Sequence, residues 1–197
     1  MRARDNPFAT TRIHQIRYRL RGLNWDELLQ RLDKMNFRAA IVGPEGSGKT
    51  TLLEDLAPRL RERDWAVIPL QLTRESRQFD KAFLSDLLRT LTPRHVMLLD
   101  GAEQMGRLRW RWFRWSVRRA GGLIVTSHRS GLLPTLLRCK TDPELLRQIL
   151  GELVDLKADA VFRRTEELFA VHRGNLRDAF RALYDEWAVR PESALLA

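Results

Sequence analysis

Apolar and polar positions alternate between two periods along this chain, and the changes of period divide it into elements. Arg38 to Val42 (RAAIV) is a short apolar run bounded by polar residues, the pattern of a buried strand. Leu52, Leu53, Leu56 and Leu60 then recur at helical spacing. Trp65 to Leu72 (WAVIPLQL) predicts a second strand, which Pro69 assigns to a sheet edge or to an early end. The polar loop TRESRQ leads to a helix from about Phe79 to Leu91, closed by Pro93. His95 to Asp100 (HVMLLD) reads as a fully buried parallel strand with an acidic tip. A helix is expected from Glu103 to about Arg119, a fourth strand over Leu123 to Thr126, and a fifth in TLLRC after Pro134.

The two ends of the chain read differently. Ile16 to Arg21 alternates apolar and basic residues and suits an extended segment, either covering the base of a nucleotide or held loosely as a tail. Asn24 and Glu27 have the spacing of a capping box, and Trp25, Leu28, Leu29 and Leu32 form the stripe of a helix ending near Asn36. Beyond residue 141, Asp142 and Pro143 open a helix bearing Leu145, Leu146, Ile149 and Leu150. Two more follow, about Asp159 to His172 and Asn175 to Val189, parted at Gly174, so that the three read as a small bundle beside the sheet. The expected organisation is a basic lead-in (1–22), an α/β domain (23–141), a helical part (142–190) and a tail (191–197).

Chemistry enters at Gly43 to Thr50. GPEGSGKT matches G-x-x-x-x-G-K-[ST], the phosphate-binding loop, and it lies between a predicted strand and a predicted helix as that motif requires. Gly43, Gly46 and Gly48 would let backbone N–H groups converge on phosphate oxygens, with Pro44, Glu45 and Ser47 completing the loop, at the positive end of the following helix. Lys49 would lie along the β- and γ-phosphates, Thr50 would enter the Mg²⁺ shell, and Thr51 would add a contact to the α-phosphate. Asp100, at a strand tip about fifty residues downstream, would hold the Mg²⁺ directly or through water. Thr126, Ser127 and His128 end the fourth strand where a water attacking the γ-phosphate is oriented, with His128 read as an edge histidine rather than a catalyst.

Charge adds a second candidate surface. The formal net charge is +10, and 30 of the 35 basic residues are arginine, a bias that GC-rich coding also produces. Residues 1–141 hold 27 basic and 14 acidic residues, whereas 142–197 hold 8 and 11, so the excess is local. From Gln104 to Lys140 there are nine basic residues and no acidic one. On the helix expected over 103–119, Arg107, Arg111, Arg114 and Arg118 form one stripe, with Leu108, Trp112 and Trp115 on one flank and Trp110, Phe113 and Val117 on the other. One apolar flank would serve the sheet. The other would be wedged against another part of the protein, contact a partner protein or a second subunit, or stack the bases of DNA beside an arginine-lined path.

Composition narrows the setting. No apolar run approaches the roughly 18 residues that would span a membrane, and the first residues contain no secretory signal core, so the expected location is the cytoplasm. Cys139 is the single cysteine, which excludes an internal disulfide and a cysteine-rich zinc site.

Taken in order, GPEGSGKT, VMLLD, LIVTSH and the late HRGNLRDAFRAL resemble the AAA+ class of P-loop ATPases, in particular its compact initiator-like and transposition- or secretion-associated forms. The resemblance runs from about residue 36 to 189. It implies an α/β P-loop NTPase three-layer sandwich with a parallel sheet, followed by a helical lid, with ATP and Mg²⁺ as ligands. It implies that Arg177 is the second sensor reaching from the lid to the γ-phosphate, that Thr126 or Ser127 is the first sensor, and that Arg129 lies where an arginine finger is placed. The stretch from Thr126 to Pro134 is too short for the helix that normally intervenes there. The family also usually carries an acid directly after the metal-binding aspartate, where this chain has Gly101. Glu103 then either reaches back as the general base or is a helix-start residue favoured by the macrodipole. Two functions follow: a Mg²⁺-dependent ATPase that moves its lid, or a nucleotide-gated DNA- or protein-binding module with little or no hydrolysis.

Overall fold

The computed structural model describes residues 6–154 and 158–189. The tail expected at 191–197 and the first five residues of the lead-in lie outside the described residues. The chain divides into two compact units: Tyr18–Gly43 with Gly48–Cys139, and Met1–Arg17 with Pro44–Ser47 and Lys140–Ala197.

The first unit is built on five parallel strands, β1 (Arg38–Val42), β2 (Ala66–Gln71), β3 (His95–Asp100), β4 (Gly122–Ser127) and β5 (Thr135–Arg138), in the spatial order β2-β3-β4-β1-β5. The central strands bury both faces, which explains their unbroken apolar runs. Ala40, Val42, Met97, Leu99, Leu123 and Val125 enter one core cluster, and their neighbours Ala39, Ile41, Val96, Leu98 and Ile124 enter the other. This period of two across three adjacent strands is the pleat expressed as packing. On one face lie α4 (Lys81–Thr90) and α5 (Arg107–Ser116), and on the other α2 (Trp25–Lys34) and α3 (Lys49–Arg61). Pro69 sits in β2, at the sheet edge, where its missing N–H breaks no ladder.

Local signals set the helix ends. Asn24 accepts from Glu27 N and Glu27 Oε2 accepts from Asn24 N, both at 2.9 Å, so the capping box forms. Asp80 caps α4 by accepting from Phe83 N at 3.0 Å, which starts that helix at Lys81 and leaves Phe79 to pack against Phe83 and Phe113.

One expectation is corrected. The continuous helix over 103–119 is three pieces: a 3₁₀ turn at Ala102–Gln104, α5 over Arg107–Ser116, and a 3₁₀ turn at Val117–Arg119. Gly106 is the break, because its extended backbone (φ −65°, ψ 156°) caps α5 and glycine is a poor helix former. The sidedness of the pattern survives. Trp110, Phe113 and Val117 are buried in the sheet core, while Leu108, Trp112 and Trp115 are exposed (81%, 52% and 62%). Of the readings left open for that flank, wedging against another part of the protein finds no cover within its own unit.

In the second unit, α6 (Pro143–Leu153), α7 (Ala158–Val171) and α8 (Leu176–Val189) pack around Leu146, Leu150, Leu168, Leu176, Ala179, Phe180 and Leu183. Asp142 caps α6 by accepting from Leu145 N at 2.8 Å. Gly174, at φ +77°, makes the turn into α8, and its carbonyl accepts from the Thr141 hydroxyl at 2.8 Å. The start of the chain joins this core through Phe8, which is fully buried edge-on to Trp187, and through Asn6, whose Nδ2 donates to Tyr184 O at 2.9 Å. The short helix α1 (Thr10–Ile13) follows.

Candidate functional site

The site begins where β1 ends. Gly43 N donates to Ser127 O at 3.1 Å, which ties the start of the phosphate loop to the end of β4. Gly46 and Gly48 have φ of +73° and +79°, the left-handed region that glycine adopts without strain. Within the helical unit, a Cβ on Gly46 would lie 1.8 Å from Asn175 Oδ1, so that position admits no side chain. Ser47 Oγ donates to Pro44 O at 2.8 Å and fixes the loop from inside. Gly48 caps α3, so the first N–H groups of that helix open onto the loop. Lys49, its first residue, is buried; Thr50 and Thr51 follow on the same turn, both partly exposed.

Asp100 is the centre of a compact oxygen network. Thr50 Oγ1 donates to its Oδ2 at 2.9 Å, and Thr126 Oγ1 donates to its Oδ1 at 2.5 Å. Thr126 Oγ1 in turn accepts from Gly101 N at 2.8 Å. Two hydroxyls from separate stretches of sequence thus converge on the carboxylate of a third. A carboxylate and a hydroxyl 2.9 Å apart form a hard-oxygen set that fits Mg²⁺, an ion that takes one or two protein ligands and completes its octahedron from phosphate and water. Among the described residues no cluster of three or more His, Cys, Asp or Glu could hold a metal by itself.

The glycine after Asp100 has a steric cause. Gly101 has φ +78°, and a Cβ there would lie 2.3 Å from Leu72 O, so no acid can occupy that position. Glu103 sits in the following 3₁₀ turn, with Oε1 at 3.3 Å from His128 Nε2 and Oε2 buried without a protein partner. A carboxylate oxygen in that state has accepting capacity left for a water. His128 therefore contacts a candidate base, a role its reading as an edge histidine did not include.

Ser127 and Arg129 have other local partners. Ser127 Oγ donates to Arg129 O at 2.8 Å and accepts from Arg129 N at 3.3 Å, so its hydroxyl turns along the loop while that of Thr126 faces Asp100. The Arg129 side chain is exposed, and no helix intervenes between β4 and β5. Arg177 belongs to the helical unit, exposed in the first turn of α8, with its backbone N donating to Asn175 Oδ1 at 3.1 Å.

Sequence reasoning missed a buried set beside the loop. The Tyr18 ring lies against Gly48, where a Cβ would meet it at 3.2 Å, and Tyr18 N donates to Asp55 Oδ2 at 2.6 Å. Asp55 is buried in the apolar stripe of α3, and a carboxylate among leucines at 52, 53 and 56 was the available signal. Burial, with Cys139 beside it, pushes the Tyr18 phenol far above its ordinary range. Burial likewise raises the Cys139 thiol, against smaller opposing effects of Tyr18 and Lys49.

An all-parallel sheet in the order β2-β3-β4-β1-β5, with a phosphate loop after β1 and an aspartate closing β3, is an AAA+-like P-loop fold. No protein-family model matches the chain, and no curated protein does. Solved structures match: domain III of the Thermotoga maritima replication initiation protein DnaA superposes with TM-score 0.59 at 14% identity, covering 89% of this chain and 88% of that one. AMPPCP-bound DnaA from Aquifex aeolicus gives 0.56 at 14% identity, over 90% and 65%. The Thermotoga maritima RuvB Holliday junction branch migration motor gives 0.55 at 18% identity, over 83% and 61%, so this chain spans less than two thirds of RuvB. The likeness is one of fold.

Proposed function

We propose that this chain binds ATP with Mg²⁺ at Gly43–Thr51 and hydrolyses it, using nucleotide state to move its helical part as a lid. The observation that carries this reading is the joint engagement of Asp100 by Thr50 and Thr126, which sets a carboxylate beside the phosphate-loop threonine, where both oxygens could serve one Mg²⁺. Lys49 supplies positive charge along the β- and γ-phosphates, and the loop amides hold their oxygens. Thr50 and Asp100 would hold Mg²⁺, which would supply charge neutralisation at the phosphate oxygens. Thr126 positions Asp100. Glu103 accepts the proton of the attacking water, and His128 holds the other carboxylate oxygen of Glu103. Arg177 reads the γ-phosphate from the lid, and Arg129 serves a neighbouring copy as a finger. The AMPPCP in the Aquifex DnaA structure supports an adenine nucleotide as ligand. We place the protein in the cytoplasm, where this ligand pair is supplied; no helix among the described residues is long and apolar enough to cross a membrane.

Steady-state turnover of the full chain tests the assignment. Glu103→Gln should lower kcat by at least about 10²-fold while leaving ATP binding intact, the range expected for loss of a general base. A second reading, a nucleotide-gated module that engages DNA or protein with little hydrolysis, is favoured by Gly101, which removes the adjacent acid. Turnover that is negligible in the wild type, with and without DNA, selects it.

A further inference from the structure

The exposed side of α5 is unlike an ordinary solvated helix face. Around the helix, the aromatic strip of Trp115, Leu108 and Trp112 runs between two sets of cations: Arg107, Arg111, Arg114 and Arg118 on one side and Arg109 on the other. Arg118 lies 4.1 Å over the Trp115 ring, so its guanidinium covers one face of the indole and holds it, while the 62% exposure of Trp115 leaves the rest of the ring open to a base. Arg109 also lines a hollow of about 400 Å³ with Arg74 and Arg77 from the loop between β2 and α4, where Glu75 is the one acid. A hollow of this size admits a nucleotide. Arg38, bonded to Arg118 O at 3.2 Å and Ala120 O at 2.8 Å, adds a further guanidinium near Arg114.

We propose that this face binds single-stranded DNA, with bases stacked on Trp112 and Trp115 and the backbone drawn along the flanking arginines. This goes beyond the ATPase reading and does not depend on it. Charge selects a polyanion, because the stretch from Gln104 to Lys140 has nine basic residues and no acid. The half-exposed indoles select a single strand, since paired bases are already stacked on one another and offer an outer helix no ring face. The stacking strip itself weighs toward DNA: from Gly106 to Arg119 there is no carboxylate or amide side chain to take a 2′-hydroxyl proton, so a ribose hydroxyl would lose water there with no side-chain acceptor beyond Ser116 Oγ, which itself donates to Trp112 O at 2.9 Å. Tryptophans three residues apart lie on one side of adjacent turns, a spacing suited to successive splayed bases.

The test is anisotropy of fluorescein-labelled oligo(dT), about 20 nucleotides long, with the full chain over a range of salt. We expect binding to oligo(dT) tighter than to oligo(rU) or to a duplex of equal length. Trp112→Leu and Trp115→Leu should each weaken it by at least about fivefold, whereas the phenylalanine variants retain most of it. Each of Arg107→Gln, Arg111→Gln and Arg114→Gln should reduce the slope of log K against log salt by about 0.7. The proposal is overturned by no binding, by duplex or oligo(rU) binding as tightly, by leucine variants that bind like wild type, or by leucine variants that dissociate a self-association seen in sedimentation. The indoles are exposed, so melting curves of these variants should match wild type and exclude misfolding as the cause. Titration with a fluorescent ATP analogue separates the two readings. Trp112→Leu should keep wild-type nucleotide affinity and Lys49→Ala wild-type oligo(dT) affinity, so either site can fail alone.

Discussion

Replacing Thr126 by valine removes one hydroxyl from the centre of the site and almost nothing from its shape. Thr126 is 1% exposed, and its hydroxyl makes two bonds, donating to Asp100 Oδ1 and accepting from Gly101 N. Losing the first takes a charged acceptor's bond, worth about 1.5–3 kcal/mol, and losing the second leaves a partly buried N–H unsatisfied at about 1–3 kcal/mol. Valine regains part of this through its apolar methyl, so the net loss should be about 2–4 kcal/mol. For a chain of this size each kcal/mol shifts Tm by about 2–4 °C, which places the expected drop at roughly 5–15 °C. Thr126→Ser keeps both bonds and loses one methyl, at about 1 kcal/mol. Thermal melting followed by circular dichroism reads both variants. If Thr126→Val melts within about 2 °C of wild type, or if serine costs as much as valine, the hydroxyl does not organise Asp100.

Gly101→Glu, which restores the acid in the expected family position, should destabilise by more than about 3 kcal/mol and bring no gain in turnover, because φ is +78° and Leu72 O occupies the place of the new Cβ. Gly46→Ala should lose stability for the same two reasons, and a second-site Asn175→Ala should recover part of it in the same melt by removing the side chain 1.8 Å from the new Cβ. Cys139, buried with a raised thiol pKa, should resist a thiol reagent at pH 8 in the folded protein and react stoichiometrically in urea. Of the two tyrosines, Tyr18 should not ionise in its ordinary range near pH 10 while the chain is folded. Because the folded state holds that proton more tightly than the unfolded one, this contribution to stability is complete below the ordinary tyrosine pKa and is lost as pH rises above it, which alkaline unfolding monitored by phenolate absorbance will show.

Local and periodic signals made much of the fold readable. β1 and β3 carry the expected bounds because strands buried on both faces need unbroken apolar runs and are cut off sharply by polar residues. GPEGSGKT and the acidic tip of HVMLLD were legible because phosphate chemistry restricts residue types at fixed spacing, and Asn24 and Asp142 because caps act within three residues. Features formed between distant residues were not readable. Glu103 and His128 meet only because β3 and β4 are neighbours, and Asp55 finds Tyr18 across 37 residues of chain. Phe8 joins a core made of residues 138 and more positions away. Gly106 was overlooked for a different reason: the arginine and tryptophan period continues through it, and periodicity does not register a break that preserves the helical face.

Whether the loop at Gly43–Thr51 holds ATP with Mg²⁺ is decided by binding of a fluorescent ATP analogue to wild type and to Lys49→Ala, in Mg²⁺ and in EDTA. Wild type should bind saturably and more weakly when Mg²⁺ is removed, and Lys49→Ala should lose at least about tenfold in affinity, the value of one charge-assisted phosphate contact. Equal affinity of the two proteins would contradict this and remove ATP from the loop at Gly43–Thr51.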